Sequence, residues 1–287
     1  MTKRGLFVGL TTLDIIYLTP TIPAQNAKIV AVDQAIASGG PATNAAVTFS
    51  HLGNQAILVG VVGNHPVSQI IRADLESYEI EILDLNPERH EAPPVSSIMV
   101  TQATGERAVI SINALKSQAP AHLLPPDILK DITIVLIDGH QMAVSRAMAQ
   151  KATKSQIPVV LDGGSWKPGL EEVLPFVDYA ICSANFQPPK GDVFTYLSQI
   201  GIPHIAITQG EKPIQYLTNS ERGELAVPQI KAVDTLGAGD IFHGAFCHYI
   251  CHQDFIPALR AAAKIASHSC QFFGTRQLKT SRLFGVG

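Results

Sequence analysis

Short apolar runs of strand length alternate with segments of helical periodicity along most of the chain. The predicted strands cover residues 6–10, 55–62, 81–85, 132–137, 159–161, 179–182 and 204–208. The predicted helices cover residues 41–52, 67–78, 143–155, 170–175, 193–200, 238–251 and 256–272. This alternation is typical of a parallel sheet with helices on both faces and right-handed crossovers. The sequence therefore predicts a doubly wound α/β fold.

Two segments interrupt the alternation. Residues 15–38 contain two prolines and only short β-like runs such as residues 28–32, and residues 95–112 have the pattern of a hairpin. Neither segment has helical periodicity, so we expect both to join one small additional sheet. Asp14 precedes the first segment and is expected in the loop just past the first strand. In open α/β sheets, ligands bind at that end of the strands.

The heptamer DTLGAGD, residues 234–240, directly precedes an apolar run of helical length. Its glycines allow positive φ angles and close approach of a ligand, and the first turn of a helix offers unpaired N–H groups. Such a loop can bind an anion. Asp240, beside these donors, can take a proton from a hydroxyl while the N–H groups stabilise charge on a phosphoryl group. The alternative is a glycine-rich turn in which Asp240 only begins the helix.

Composition narrows the classes of function. The 287 residues are 46% hydrophobic, which is enough for a large globular core. The 21 basic and 24 acidic side chains give a formal charge of −3, so we expect no broad cationic surface for nucleic acid or anionic lipid. No apolar run has the length of a membrane span or a signal peptide core. Four cysteines without an export signal predict reduced thiols in a cytoplasmic protein.

Two separated motifs resemble the signatures of the ribokinase-like (PfkB) carbohydrate kinases. One is Gly39-Gly40-x-x-x-Asn44-x-Ala46 and the other is DTLGAGD, and their order and spacing match the family. The resemblance implies a three-layer αβα sandwich with a mostly parallel central sheet, as a single domain over residues 1–287. It also implies a small β-sheet lid from about residues 15–38 and 95–112. Such a lid closes over the sugar, excludes water and often forms a homodimer contact.

The resemblance also implies roles for residues at the reaction centre. They are the catalytic base Asp240, the anion-hole residues Gly237, Ala238 and Gly239, and the sugar-binding residues Asp14, Gly40 and Asn44. Carboxylate and amide side chains can pair with vicinal hydroxyls, and a glycine avoids crowding the sugar ring. The structural alternatives are a loop-capping turn at Asp14 and an ordinary polar helix residue at Asn44.

Three further residues have competing interpretations. Arg107 resembles the arginine near the lid that meets phosphate in fructokinases of the ketohexokinase type, and its alternative is a solvated hairpin charge. His243 comes one helical turn after Asp240 and either lines the sugar pocket or packs in the core. Asp162 follows a predicted strand and is a candidate for a substrate hydroxyl or for the magnesium shell.

Nucleotide binding is marked more weakly. Thr208-Gln209-Gly210 follows a predicted strand and is similar to the family's TxG turn beside the ATP phosphates, although Pro213 replaces the usual second glycine. The chain contains no G-x-x-x-x-G-K-[ST] motif, so a P-loop mechanism is not supported. The other candidates for contact with the nucleotide are Thr235, Gly237, Gly239 and Gly274.

Magnesium organisation departs from the family pattern. Many relatives carry N-x-x-E, whereas this chain has Asn185-Phe186-Gln187-Pro188, so Pro188 replaces the acid. Mg²⁺ is still expected because it neutralises ATP, with Asn185 assisting through water. A requirement for a monovalent cation such as K⁺ is left open.

Together the motifs predict an ATP-dependent kinase that phosphorylates a primary hydroxyl of a small sugar. The GDIFHGA run and the TxGER turn resemble the ketohexokinase and sulfofructose kinase branch, so a fructose-like keto-sugar is the first expectation. A ribose or nucleoside kinase of the same fold is the alternative within the class. A non-catalytic sugar or nucleotide sensor is the alternative from another class, because the N-x-x-E acid is missing. The intact Asp240 argues against the sensor.

Overall fold

The computed structural model describes residues 2–277, and within them the chain forms thirteen strands and six α-helices. The strands are β1 (Arg4–Val8), β2 (Thr12–Thr19), β3 (Asp33–Gly39), β4 (Gln55–Gly60), β5 (Glu81–Asp84), β6 (Val95–Thr101), β7 (Arg107–Ile110), β8 (Ile134–Ile137), β9 (Val159–Gly163), β10 (Tyr179–Ser183), β11 (His204–Gln209), β12 (Lys212–Thr218) and β13 (Glu221–Leu225). The helices are α1 (Pro41–His51), α2 (Pro66–Ser77), α3 (Met142–Lys154), α4 (Val193–Ile200), α5 (Ala238–Ile250) and α6 (Phe255–Ser269). Two short 3₁₀ turns, Leu170–Glu172 and Leu174–Phe176, take the place of the helix predicted at residues 170–175.

Nine strands form the large sheet, in the order β13-β12-β11-β10-β9-β8-β1-β4-β5. Neighbouring strands from β11 to β5 are parallel, and β12 and β13 add an antiparallel hairpin at one edge. Strand β8 is the apolar run IVLI and is buried at every position. Continuous apolar runs of this kind are expected where helices cover both faces of a sheet. The predicted mostly parallel α/β sheet is confirmed.

Helices cover both faces of the large sheet and define three layers. On one face, α1, α5 and α6 pack in a core that includes Phe49 and Leu259. On the other face, α3 and α4 pack in a second core that includes Met148 and Leu197. Both cores also contain side chains of β1, because successive side chains of a strand point to opposite faces. The three-layer αβα sandwich is therefore confirmed.

The small sheet has the order β3-β2-β6-β7, and its first half differs from expectation. Residues 28–32 form no strand, and Val30 is 82% exposed because no neighbouring strand covers it. Asp14 does not lie in a loop after the first strand but inside β2. The strand continues through Asp14 because β2 pairs there with both neighbours, Ala37 of β3 and Ser96 of β6.

The inner face of the small sheet covers the DTLGAGD loop. This face is apolar, and it packs against one residue of the loop and one residue near the end of the described chain. The residues in this contact are Ile16, Leu18, Ile98 and Val100 of the small sheet together with Leu236 and Phe273. The small sheet thus lies over the loop that the sequence marks for anion binding.

Two further observations concern the helices and the cysteines. Across residues 2–277, no helix is both long enough and apolar enough to cross a membrane. The four cysteines, Cys182, Cys247, Cys251 and Cys270, are free thiols.

Candidate active site

Helix α5 begins at the glycines of the DTLGAGD heptamer. Gly237 has a left-handed backbone with φ 68°, and its carbonyl accepts the first helical hydrogen bond, from the amide of Ile241 at 2.8 Å. A Cβ at residue 237 would lie 2.8 Å from Cγ2 of Thr275, so both the backbone and the space require glycine. Ala238, Gly239 and Asp240 then form the first turn, whose amides have no carbonyl four residues earlier in the helix, and the amide of Ala238 instead donates to the carbonyl of Thr235 at 3.4 Å. The heptamer thus forms the glycine turn and helix start that the sequence predicts, and anion binding at this turn stays a prediction.

Asp234 braces the start of this loop. Its side chain is buried, Oδ1 accepts a hydrogen bond from the amide of Leu236 at 2.8 Å, and Oδ2 accepts one from the amide of Gly274 at 2.9 Å. Burial raises the pKa of the Asp234 carboxyl. The loop is therefore fixed to the turn after α6, and Gly274 lies beside the heptamer.

The lid hairpin reaches the same loop through Thr235. The Thr235 hydroxyl donates to the carbonyl of Gly105 at 3.0 Å, and Nη1 of Arg107 lies 3.3 Å from both the carbonyl and the hydroxyl of Thr235. Arg107 is exposed, so its guanidinium stands at the boundary between lid, loop and solvent. The lid is thus in contact with the loop at the place where an anion would bind.

Asp240 is partly buried and faces Asn44 of α1, whose Nδ2 donates to Oδ2 of Asp240 at 2.8 Å. Burial, the largest cause, and the Asp162 carboxylate raise the pKa of Asp240 to about 7. The hydrogen bond from Asn44 and the charges of His243 and Arg107 act in the opposite direction. A carboxylate with a pKa near neutrality is suited to accept a proton at physiological pH.

The meeting of Asn44 and Asp240, which are 196 residues apart in the chain, depends on close packing of α1 against α5. Gly244 of α5 lies against the backbone carbonyl of Ala45, so that a Cβ at residue 244 would overlap this oxygen. Glycine at this position allows the two helix backbones to approach, and the first turn of α5 then reaches the side chain of Asn44.

The sugar-side candidates lie on the lid and at the start of α1. Asp14 of β2 is buried, and its Oδ1 accepts a hydrogen bond from the hydroxyl of Thr12 at 2.6 Å. Burial raises the pKa of Asp14, while hydrogen bonds from Thr12 and Ser96 lower it. Gly40 is the N-cap of α1 with φ 100°, four residues before Asn44. A Cβ at residue 39 would overlap the Asp14 carboxylate, so this carboxylate lies against the backbone of Gly39, directly before the Gly40 cap.

Arg276 is a site residue that the sequence analysis missed. Its Nη1 donates to Oδ1 of Asn44 at 2.9 Å, and its Nη2 forms an ion pair with Asp74 of α2 at 3.2 Å. Nη2 also donates to the backbone carbonyl and the hydroxyl of Ser38 in β3. The residue follows Gly274 in a short turn without periodicity, so no sequence pattern marked it.

His243 is not placed as a sugar contact. Its ring is only 4% exposed, with Nδ1 at 2.7 Å from the carbonyl of Gly239 and Nε2 at 3.1 Å from the carbonyl of Ile181. Nδ1 also lies 3.3 Å from Oδ2 of Asp162. Of the two interpretations of His243, the contacts support the core position over the pocket position, because both ring nitrogens face groups of the protein interior.

The nucleotide-side candidates lie at the carboxyl ends of neighbouring strands. Thr208 is in the last part of β11, Gly210 is in the turn to β12 with φ 65°, and Asn185 is exposed just after β10. Pro213, which replaces the second glycine of the TxG turn, lies within β12. These residues therefore lie near the carboxyl ends of strands of the large sheet, whereas the sugar-side candidates lie on β2 of the lid and at the start of α1.

Comparison with known proteins places the chain among kinases. The family model for pfkB carbohydrate kinases matches residues 3–281. Ribokinase of Bacillus subtilis is 23% identical over 94% of this chain and 93% of that protein, and deoxyribokinase of Salmonella typhi is 26% identical over the same shares. Ketohexokinase of Mus musculus is 22% identical over 95% of this chain and 97% of that protein. Similarity therefore extends to ribokinases and deoxyribokinases as well as to the ketohexokinase branch.

Solved structures give the same fold. A protein from Agrobacterium tumefaciens assigned as a ribokinase superposes with a TM-score of 0.84 at 22% identity, covering 97% of this chain and 94% of that one. A protein from Escherichia coli assigned as a ribokinase II, in complex with ATP and Mg²⁺, superposes with a TM-score of 0.77 at 18% identity, covering 97% and 96%. With its ribokinase-like fold and a family match over residues 3–281, the chain belongs to the pfkB family of carbohydrate kinases.

Proposed function

We propose that this enzyme transfers the γ-phosphoryl group of ATP to a primary hydroxyl of a small sugar, with a fructose-like keto-sugar as the first candidate acceptor. The observation that carries the proposal is the position of Asp240. Its carboxylate has a raised pKa, is hydrogen-bonded by Asn44, and stands in the first turn of α5 beside amides that have no partner within the helix. Base and anion donors thus occupy the same helix terminus, as transfer to an alcohol requires.

In the proposed reaction, Asp240 accepts the proton of the attacking hydroxyl as the hydroxyl oxygen bonds to the γ-phosphorus of ATP. The bond from that phosphorus to the bridging oxygen of ADP breaks, and the amides of Gly237, Ala238 and Gly239 stabilise the charge on the phosphoryl oxygens. Asp14, Gly40 and Asn44 hold the sugar, and Arg107 adds a positive charge where the lid meets the loop.

For the nucleotide, we assign Thr208, Gly210, Thr235 and Gly274 to the phosphates and the adenosine. Mg²⁺ bound with ATP neutralises the phosphate charge. The residues present fit such an ion, because Asn185 is exposed just after β10, and Oδ2 of Asp162, which lies 3.3 Å from Nδ1 of His243, has no hydrogen-bond partner among the described residues. Asn185 and Asp162 would therefore supply oxygen contacts, directly or through water, in place of the acid lost at residue 188.

The lid supports a proposed homodimer. Its outer face is apolar and exposed, with Ile36 51% and Ile110 69% accessible, and the strand register places both in line with Ile15. A second copy would cover this face. Sedimentation should find a dimer that Ile36→Glu converts to a monomer. The control Val30→Glu, at an exposed position outside the lid strands, should leave the dimer intact. A wild-type monomer would contradict the assembly.

A cytoplasmic location stays a prediction, which the four free thiols support. Likewise, we treat the αβα core and its lid as one kinase domain, because the lid packs directly on the DTLGAGD loop.

A second acceptor class is favoured by the relatives. Because the chain is similar to ribokinases and a deoxyribokinase over more than nine tenths of its length, ribose and deoxyribose are the alternative acceptors. A panel of fructose, ribose, deoxyribose and nucleosides with ATP and Mg²⁺ decides between the classes. If acceptors bind and none is phosphorylated, the sensor interpretation replaces the kinase.

The base assignment is tested on the best acceptor of that panel. Asp240→Asn should lower kcat by about 10²–10⁴-fold, the usual contribution of a general base. Asp254→Asn is the matched control, because Asp254 is an exposed acid at the N-cap of α6 and makes no side-chain capping bond. Full turnover by Asp240→Asn would remove Asp240 from the mechanism.

A further inference from the structure

The Asn44 amide is held from both ends. Its Nδ2 donates to Oδ2 of Asp240 at 2.8 Å, and its Oδ1 accepts from Nη1 of Arg276 at 2.9 Å. Asn44 is 4% exposed, so water has little access to either end. The path from the proposed base to Arg276 therefore runs through a single amide group.

Each neighbour of this amide fixes which way it faces. A guanidinium has donors only and an ionised carboxylate has acceptors only, whereas an amide has one donor end and one acceptor end. Arg276 must therefore meet the carbonyl oxygen of Asn44, which leaves the NH₂ group for Asp240. If the amide turned over, its oxygen would face the Asp240 carboxylate and its NH₂ group would face the guanidinium, so that both contacts became repulsive.

Arg276 is itself held by three residues outside α1, which belong to α2, its C-terminal cap and β3. Its Nη2 pairs with Asp74 of α2 at 3.2 Å and donates to Ser38 at the end of β3. Its guanidinium carbon also lies 5.5 Å from the ring centre of Tyr78, within range of a cation–π contact. The donor that meets Asn44 is thus held in place before any substrate arrives.

We propose that Arg276 is a positioning residue, which orients the Asn44 amide so that its NH₂ group donates to Asp240 and presents this carboxylate to the sugar hydroxyl. The inference rests on the proposed role of Asp240 as the base. It gives a function to a residue at the C-terminal turn that lies outside both signature motifs.

Two other effects of Arg276 have to be separated from orientation. The residue braces α2 and β3 through Asp74 and Ser38, and its charge acts on Asp14. Neither effect passes through the side chain of Asn44. In contrast, the effect of Arg276 on the orientation of the Asn44 amide must disappear when residue 44 is replaced by alanine, which has no side-chain amide.

A double-mutant cycle between Arg276→Gln and Asn44→Ala therefore tests the proposal. Arg276→Gln should lower kcat/KM about tenfold in the wild-type background, the range for a hydrogen bond to a charged group. In the Asn44→Ala background it should change kcat/KM by less than about twofold. Equal losses in the two backgrounds would assign Arg276 to bracing or to charge and would overturn the proposal.

The pH profile gives an independent readout. Asn44, Arg107 and His243 favour the ionised form of Asp240, and Asp162 opposes it. Arg276→Gln should therefore move the acid limb of kcat/KM to higher pH when Asn44 is present and leave the limb in place when it is absent. A shift of the same size in both backgrounds would contradict the proposal.

Controls separate failure of the inference from failure of the proposed function. Arg72→Gln removes another arginine–carboxylate pair of α2, with Asp84, and should leave kcat/KM unchanged. If Arg276→Gln does not fold, as judged by thermal unfolding, Arg276→Lys provides the same cycle. If Asp240→Asn is inactive and the effects of Arg276→Gln and Asn44→Ala on kcat/KM are additive, only the inference about Arg276 is wrong. If Asp240→Asn is fully active, the proposed role of Asp240 as the base is wrong, and the inference that rests on it is wrong as well.

Discussion

The residues proposed to hold the transferred phosphoryl group come from one heptamer, whereas those proposed to hold the sugar come from segments far apart in the chain. The loop over residues 234–240 forms its own turn and begins α5. Asp14 lies on β2, Asn44 on α1 and Arg276 after α6, and packing brings them together. The proposed phosphoryl site is thus built from neighbouring residues of the chain, whereas the proposed sugar site is built from distant segments that tertiary packing brings together. Substitutions at the two sites should therefore differ in how they change kcat, kcat/KM and stability.

Apart from loss of the base itself, the largest effect is expected at the contact that joins the two sides. Asn44→Ala removes the hydrogen bond to Asp240 and one proposed sugar contact, so kcat/KM should fall about 10–100-fold. The acid limb of its pH profile should move above the wild-type position, because the bond from Asn44 lowers the pKa of Asp240. Steady-state kinetics between pH 5 and 9, a range chosen around the expected limb at roughly pH 7, would measure both.

Asn54→Ala is the matched control for this change. Asn54 is also a buried amide, but its Nδ2 donates to the carbonyl of Phe49 and lies 2.8 Å from Nδ1 of His248, away from the site. Its loss should lower stability and leave kcat intact. If Asn44→Ala keeps kcat/KM within about twofold of wild type, the two sides are not joined through this amide.

A smaller effect is expected on the local side. Gly237→Ala places a side chain at φ 68° and a Cβ 2.8 Å from Cγ2 of Thr275, so the loop must shift. The left-handed backbone alone costs about 1–2 kcal/mol. Donors that are displaced but not removed should lower kcat about tenfold, less than the roughly 10²–10³-fold loss when a donor is removed. Urea unfolding measures the cost of the backbone strain in stability, and kcat measures the effect of the displaced anion donors.

Thr275→Ser in the Gly237→Ala background shows which part dominates. It removes the methyl group that the new Cβ meets and leaves the backbone strain in place. We expect partial recovery of kcat with little recovery of stability. Wild-type kcat in Gly237→Ala itself would mean that the loop geometry is not tuned to the phosphoryl group.

The smallest effect is expected from removal of the Asp162 carboxylate, which acts on the pKa of Asp240. Asp162→Asn removes a carboxylate that raises the pKa of Asp240, so Asp240 should stay ionised to lower pH and the acid limb should move down. About a tenth of a base with a pKa of 7 is ionised at pH 6, so relative activity at that pH should rise about threefold. Above pH 8, roughly one pH unit beyond the acid limb, the activity reaches a plateau. The height of this plateau measures the proposed contact of Asp162 with the magnesium shell.

Asp192→Asn is the control for removal of one carboxylate, because Asp192 is exposed and caps α4 through the amide of Thr195. It should not move the limb. An unchanged limb in Asp162→Asn would show that burial alone sets the titration of Asp240.

Several parts of the fold and site could be predicted from the sequence because their cause is local. The apolar runs predicted the parallel strands, and the glycines of the heptamer predicted the turn that begins α5. The strand predicted at residues 28–32 does not form: the amide of Val32 bonds to the carbonyl of Leu18, but the regular pairing with β2 includes β3 only from Asp33 onward. Whether His243 faces the pocket or the core was open, since helical spacing alone does not give the direction of the other elements.

What the sequence by itself determined is the glycine turn of the heptamer and the layered α/β architecture, because backbone conformation and hydrophobic periodicity are properties of neighbouring residues. Only the tertiary structure decided that Asn44 meets Asp240, that Arg276 holds the other end of the same amide, and that Asp162 and His243 lie beneath them. These contacts depend on how closely α1 and α5 pack and on where the C-terminal turn ends. No local pattern encodes such distances between segments, so the residues that tune Asp240 emerged only when the chain was folded.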